Sequence, residues 1–199
     1  DEVPPVFGIT RPAQTWNPIR INFQHLGLLI SDAWRAENWK DKLTIWFKPT
    51  GWRPENFEEK YPITKISNVY HFEKYGTQHS KKLMYWSIFQ ALVTLLLITY
   101  MYDSIGTIGL PHVFVYGAFI FVTVYSYTEL MDARKTAVFW EALRFLFAMG
   151  LLYFYGDWFG LTHLLPMSTF ILIGYFSISL AMSIYFVAVD FEKEKIALA

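Results

Sequence analysis

Hydrophobic positions change rhythm once along this chain. Ile19, Phe23, Leu26, Ile30 and Trp34 recur at helical spacing and form one apolar stripe of an amphipathic helix. Asn17 is placed to cap that helix, with Pro18 at its first position. A second helical segment, NWKDKLTIWFKPTGWRPE (38–55), sets Trp39, Leu43, Trp46 and Phe47 among Lys40, Lys42 and Lys48, and it stops at Pro49-Thr50-Gly51. Aromatics interleaved with lysines suit a helix lying in the headgroup layer. The same stripe would equally serve to cover the core of a cytosolic domain, and the pattern leaves both readings open. Residues 54–82 show little periodicity and read as a polar connector.

Beyond Lys82 the amphipathic rhythm gives way to continuous apolar stretches at about 83–102, 111–128, 137–156 and 165–189. Three of them carry no charge, and the third carries only Glu141 and Arg144. A helix rises 1.5 Å per residue, so about 20 apolar residues cross a hydrocarbon layer of about 30 Å. A soluble domain of this size could not bury four such helices on every side. The expected fold is therefore an all-α integral membrane protein, with amphipathic cytosolic or interfacial helices (1–82) followed by a four-helix transmembrane bundle (83–199). Lys81 and Lys82, Arg134 and Lys135, and Lys193 and Lys195 flank alternate span ends, whereas the turns 103–110 and 157–164 hold no Lys or Arg. By the positive-inside rule both termini face the cytoplasm, of a bacterial inner membrane or the endoplasmic reticulum. Tyr85, Trp86, Tyr100, Tyr102, Tyr153, Tyr155 and Trp158 lie near span ends, where interfacial belts form.

Composition sharpens this division. Hydrophobic residues make up 54% and charged residues only 17% of the 199 positions. Residues 1–82 hold twelve of the seventeen basic and nine of the seventeen acidic side chains. The formal net charge of zero gives no reason to expect a nucleic acid partner. Cysteine is absent, which excludes disulfides, thiolate metal sites and a cysteine nucleophile. The chain opens on Asp1 with no initiator Met and no secretory signal, which suggests that material on the N-terminal side was removed or never included.

Candidate chemistry is sparse. His25, His71, His79, His112 and His163 are scattered, and His71 and His79, the two nearest each other, are eight positions apart. Di-metal membrane oxygenases need histidines clustered on adjacent helical turns, because several imidazoles must converge on one centre. A complete metal site built from this chain is not expected, and no Gly-rich phosphate loop or GxSxG elbow occurs. Ser177/Ala181 and Ser179/Ser183 form small-xxx-small pairs suited to close helix packing. Glu141 and Arg144 are neighbours on one helix surface, expected at shallow depth one to two turns past Arg134-Lys135. They read as an ion pair that snorkels toward the cytoplasm or locks the third span to the second through Glu129. The alternative is a polar foot for a lipid headgroup.

The phrases FGITRPAQTWNPIRINFQHL and DKLTIWFKPTGWRPE resemble the segment that follows the last histidine cluster in the fatty acid hydroxylase/sterol desaturase superfamily, and most of all its alkylglycerol monooxygenase-like branch. There a YGLTHP…NPI…FHHL phrase leads into KGPGW.P and then a C-terminal bundle of membrane helices. The matching pieces are Gly8–Pro12, Asn17-Pro18-Ile19, Phe23–Leu26 and Pro49–Pro54. LMDARKTAVFWEALRF (130–145) resembles that branch's third C-terminal span, with Glu141 and Arg144 in matching positions. The resemblance implies a parent protein that oxidises lipid with a di-iron centre held by eight histidines, all of them before residue 1, and no cofactor in this chain. His25 matches the second histidine of FHHL and Gln24 replaces the first, so His25 is expected to be a hydrogen-bonding helix residue and not an iron ligand. His25, Trp46, Trp52, Arg53, Glu141 and Arg144 are the candidate lipid or cap contacts, with no catalytic or metal residues. The implied partners are membrane lipid and an upstream catalytic part or a catalytic subunit. A non-enzymatic four-span protein or complex subunit, whose arm binds a partner, is the competing reading.

Overall fold

A computed structural model describes residues 11–66, 68, 70–72, 74–77 and 80–191. The phrase Gly8-Ile9-Thr10, His79, Lys193 and Lys195 lie outside the described residues. The chain is helical throughout its described elements and divides into two compact units, Asp1–Gly76 and Thr77–Ala199. They are called the arm and the bundle below.

In the arm, α1 (Pro18–Arg35) begins where its cap residues dictate. The Asn17 side chain accepts from the Ile19 and Arg20 backbone N–H groups, and Pro18 takes a position whose N–H would be unsatisfied anyway. Two shorter helices follow, α2 (Trp39–Thr44), capped by Asn38, and α3 (Phe57–Lys60). The short core takes in Ala36, Ile45 and Phe57. Phe57 belongs to the stretch expected to be a featureless polar connector. It is buried with its ring against the Arg53 guanidinium. The α1 stripe turns the other way, and Phe23, Leu26, Ile30 and Trp34 are all exposed.

The bundle contains four helices long and apolar enough to cross a membrane: α4 (Lys81–Asp103), α6 (His112–Met131), α7 (Ala137–Tyr155) and α8 (Ser168–Tyr185), the last continued by a π-helical turn to Asp190. Two spans bury residues at spacings that alternate between three and four: Leu83, Ser87, Gln90, Thr94 and Leu97 on α4, and Ala137, Glu141, Arg144, Ala148 and Leu151 on α7. That is the repeat of left-handed helix packing. The inward stripes are rich in polar and small residues, while Leu92, Leu95, Leu96 and Phe170 point outward. Lipid solvates apolar side chains as well as a protein core does, so such a bundle gains nothing by hiding leucines and closes on van der Waals contact and hydrogen bonds. Thr94, Thr123 and Thr128 return their hydroxyls to carbonyls one turn earlier, on Gln90, Phe119 and Val124, which removes their desolvation cost.

Three expectations need correction. Trp158 is not part of an interfacial belt: it is fully buried, because the segment after α7 folds back and drives Trp158 and Phe159 into the end of the bundle. The turn after α4 is likewise not a plain loop, since it contains α5 (Ile105–Ile108) with Ile108 buried. Of the two small-residue pairs only Ser179/Ser183 packs inward. Ser177 and Ala181 fall on the opposite, exposed side of α8.

Candidate functional site

Both units place an arginine–carboxylate pair out of solvent. In the bundle the pair sits in a polar layer with apolar clusters on either side. Toward one end lie Leu83, Leu130, Ala137, Phe186 and Phe191, and toward the other Leu97, Phe119, Leu151 and Phe176 with Trp158. Between them, Arg144 Nη2 donates to Glu141 Oε1 at 2.6 Å and to the Ser179 hydroxyl, while Arg144 Nη1 donates to Gln90 Oε1 at 3.2 Å. Gln90 Nε2 in turn donates to Ser179, and the Tyr175 hydroxyl donates to Gln90 Oε1. The second oxygen of Glu141 accepts from the Ser126 hydroxyl at 2.6 Å. Every span contributes: Gln90 from α4, Ser126 from α6, the ion pair from α7, and Tyr175 and Ser179 from α8. The guanidinium also lies 5.6 Å from the ring centroids of both Tyr175 and Phe176.

Of the two structural roles expected for the pair, this geometry fits the lock between the third span and the second and not the snorkelling one. Arg144 lies seven residues past Ala137, the first residue of the 19-residue α7, about 10 Å along the helix axis. It is fully buried and does not snorkel. Glu141 is tied to the second span through Ser126, and Glu129 on α6 accepts from the hydroxyl of Thr136, the residue just before α7, at 2.7 Å.

In the arm, Arg53 Nε and Nη2 donate to the two oxygens of Asp32 at 2.7 and 2.9 Å. Its Nη1 donates to the Tyr61 carbonyl at 2.8 Å. Asp32 comes from α1 and Arg53 from the Trp-Arg-Pro phrase 21 residues later, so a bidentate fork closes the arm. Phe57 covers the guanidinium, with its ring centroid 5.7 Å away. Asp32 lies outside the set of candidate residues inferred from sequence, although an acid on the inner face of an otherwise apolar-striped helix was the available signal.

The candidate contact residues therefore fall into three sets. Trp52 and Arg53 are adjacent, with the Lys48 ammonium 5.7 Å from the Trp52 ring, but Arg53 commits its donors to Asp32 and Tyr61. His25 and Trp46 are exposed on the arm. Glu141 and Arg144 meet in the bundle interior. Among the described residues no group of three or more His, Cys, Asp or Glu could hold a metal ion. Among the described histidines, His25, His71 and His163 are exposed, and His112 makes a 2.7 Å contact to the Tyr155 hydroxyl.

Four apolar spans closed by an internal polar layer and joined to an aromatic-studded arm define an integral membrane protein. The chain is 26% identical over 155 residues to alkylglycerol monooxygenase of Homo sapiens, covering 76% of this chain and 34% of that protein. It is 24% identical over 142 residues to alkylglycerol monooxygenase of Xenopus tropicalis, covering 71% of this chain and 32% of the relative. The chain thus spans about a third of the length of the curated relatives it matches. No family model matches the chain. No solved structure matches it.

Proposed function

We propose that this chain is the C-terminal membrane portion of a lipid monooxygenase-like protein, with iron-binding histidine clusters on polypeptide upstream of residue 1. In this reading the bundle anchors the enzyme, the arm completes its cytosolic cap, and the two together position a lipid for oxidation. The observation that carries it is the similarity to alkylglycerol monooxygenase along 155 residues. That similarity extends across both units, so it is more than a shared hydropathy profile. Lys81-Lys82 and Arg134-Lys135 support placing the first end of α4 and the α6–α7 turn in the cytoplasm.

A chimera tests the proposal. Human alkylglycerol monooxygenase with its matching third replaced by this chain is expected to oxidise alkylglycerol faster than the same protein truncated before that third. A chimera that inserts into membranes and yet matches the truncated protein in activity overturns the reading. The gene upstream of Asp1 supplies a second arm: histidine clusters there agree with the proposal, whereas a start codon preceded by none favours a non-enzymatic membrane subunit.

A further inference from the structure

We propose that the exposed aromatic face of α1 and α2 is a membrane-docking surface that seats in an anionic lipid interface. The face is unusual for its degree of exposure: Trp34, Trp39 and Phe47 are 85%, 76% and 88% exposed. Phe23, Ile30 and Leu43 extend it. Large apolar side chains exposed together on two neighbouring helices mark an interaction surface. Its local architecture is fixed, because Lys42 Nζ donates to the Trp34 carbonyl at 3.0 Å and lies 5.5 Å from the Trp39 ring centroid, tying the end of α1 to α2. α1 cannot swing its aromatics inward without losing the Asp32–Arg53 fork, which occupies its opposite, buried side.

Three observations select lipid as the occupant. First, the large side chains of α2 and the residues after it are Trp and Phe set between lysines. This combination places ring bodies at the acyl boundary and ammonium groups among phosphates. Second, residues 34–52 carry four cations (Arg35, Lys40, Lys42, Lys48) against two carboxylates (Glu37, Asp41), so the patch complements a negative surface. Third, only residues 77–80 separate the arm from the first span, so a bilayer is the partner that the chain itself holds at high local concentration.

The absence of cysteine makes the test direct. Single cysteines introduced by Trp34→Cys, Phe47→Cys and, as a control on exposed Glu59, Glu59→Cys would carry a nitroxide in the full chain, reconstituted in nanodiscs of phosphatidylcholine with or without phosphatidylserine. Labels at 34 and 47 are expected to show oxygen-to-nickel-chelate accessibility ratios several-fold above the label at 59, and higher still with phosphatidylserine present. Lys40→Gln with Lys48→Gln, both on exposed side chains, should lower docking in phosphatidylserine discs by roughly fivefold per lysine and leave phosphatidylcholine discs unchanged. Labels at 34 and 47 as open to the nickel chelate as the label at 59 would overturn the proposal. So would labels shielded from both reagents, which would mean that a protein surface covers the face. Circular dichroism of each variant confirms that the helices are intact.

Discussion

The arm and the bundle are both turned inside out relative to a soluble domain, but they arrive there by different chemistry. Each buries an arginine–carboxylate pair and displays aromatic and aliphatic side chains outward. In the arm the pair is long-range, joining α1 to a loop 21 residues on, and it is bidentate. In the bundle the pair is local, three residues apart on one helix, with a single close contact between its members. The arm's pair therefore closes a tertiary structure that has little apolar core to hold it. The bundle's pair neutralises charge within one helix and then recruits Gln90, Ser126 and Ser179 from the others. A long-range fork specifies which segments meet. A local pair specifies only that its helix can enter the bilayer, and its neighbours decide how that helix rotates.

The largest test of this contrast is Glu141→Gln. It leaves Arg144 buried and charged with only neutral partners, and breaking a buried pair costs about 3–5 kcal/mol. Thermal unfolding in detergent should fall sharply, while Glu141→Gln combined with Arg144→Gln should recover much of the loss by removing the orphan charge. A double variant as unstable as the single one would mean that Arg144 is held by Gln90 and Ser179 more than by its acid. Next is Arg53→Lys, which keeps the charge and loses the fork. It should destabilise the arm by about 1.5–3 kcal/mol, read as faster proteolysis within residues 36–61 with the melting of the bundle unchanged. Equal protection in the variant would show that the planar fork is not what closes the arm.

Hydropathy made the four spans legible because a chain of this size has too little interior to bury four continuous apolar helices away from lipid. The α1 cap was legible because Asn17-Pro18 satisfies two local requirements at once. The inward face of each span was also written in the chain, as the minority residues Ser87, Gln90 and Thr94 on α4 and Thr123 and Ser126 on α6, each spaced by three or four. Attention to leucines misses that signal, since in lipid the polar stripe marks the inside. Two things were not legible. Burial of Trp158 depends on where the 157–164 segment folds, and an aromatic near a span end fits a belt equally well. The Asp32–Arg53 fork joins residues with no periodic relation, so only the folded chain pairs them.

A smaller effect separates the bundle's two ends. Tyr116 donates to the Leu97 carbonyl at 2.9 Å and accepts from Trp158 Nε1 at 2.8 Å, holding the folded-back segment against α4 and α6. Tyr116→Phe should cost about 1–3 kcal/mol, because the indole N–H stays buried without its acceptor. Red-shifted tryptophan emission on mild heating, before global unfolding, would report release of that segment. Emission and global unfolding in step would mean that the segment has no independent transition.

The smallest effect concerns a carboxylate that has no arginine. Asp157, beyond the end of α7, is pushed up by partial burial, but hydrogen bonds from the Thr162 hydroxyl and from the Gly160 and Thr162 backbone N–H groups, with His163 nearby, more than offset this and hold its carboxyl below the ordinary aspartate value. Because the folded group titrates below its unfolded value, its contribution is fully present above about pH 4 and is lost as the pH falls through the depressed pKa. Lowering the pH from neutral to below that point should loosen the 157–164 segment. Thr162→Val should move the loosening to higher pH, toward the ordinary aspartate range, as followed by hydrogen exchange at Gly160 and Thr162. Exchange that is independent of both pH-driven protonation and this substitution would show that neutral donors to Asp157 do not anchor the turn, and that the Trp158 and Phe159 packing with the Tyr116 and Tyr100 hydrogen bonds holds it instead.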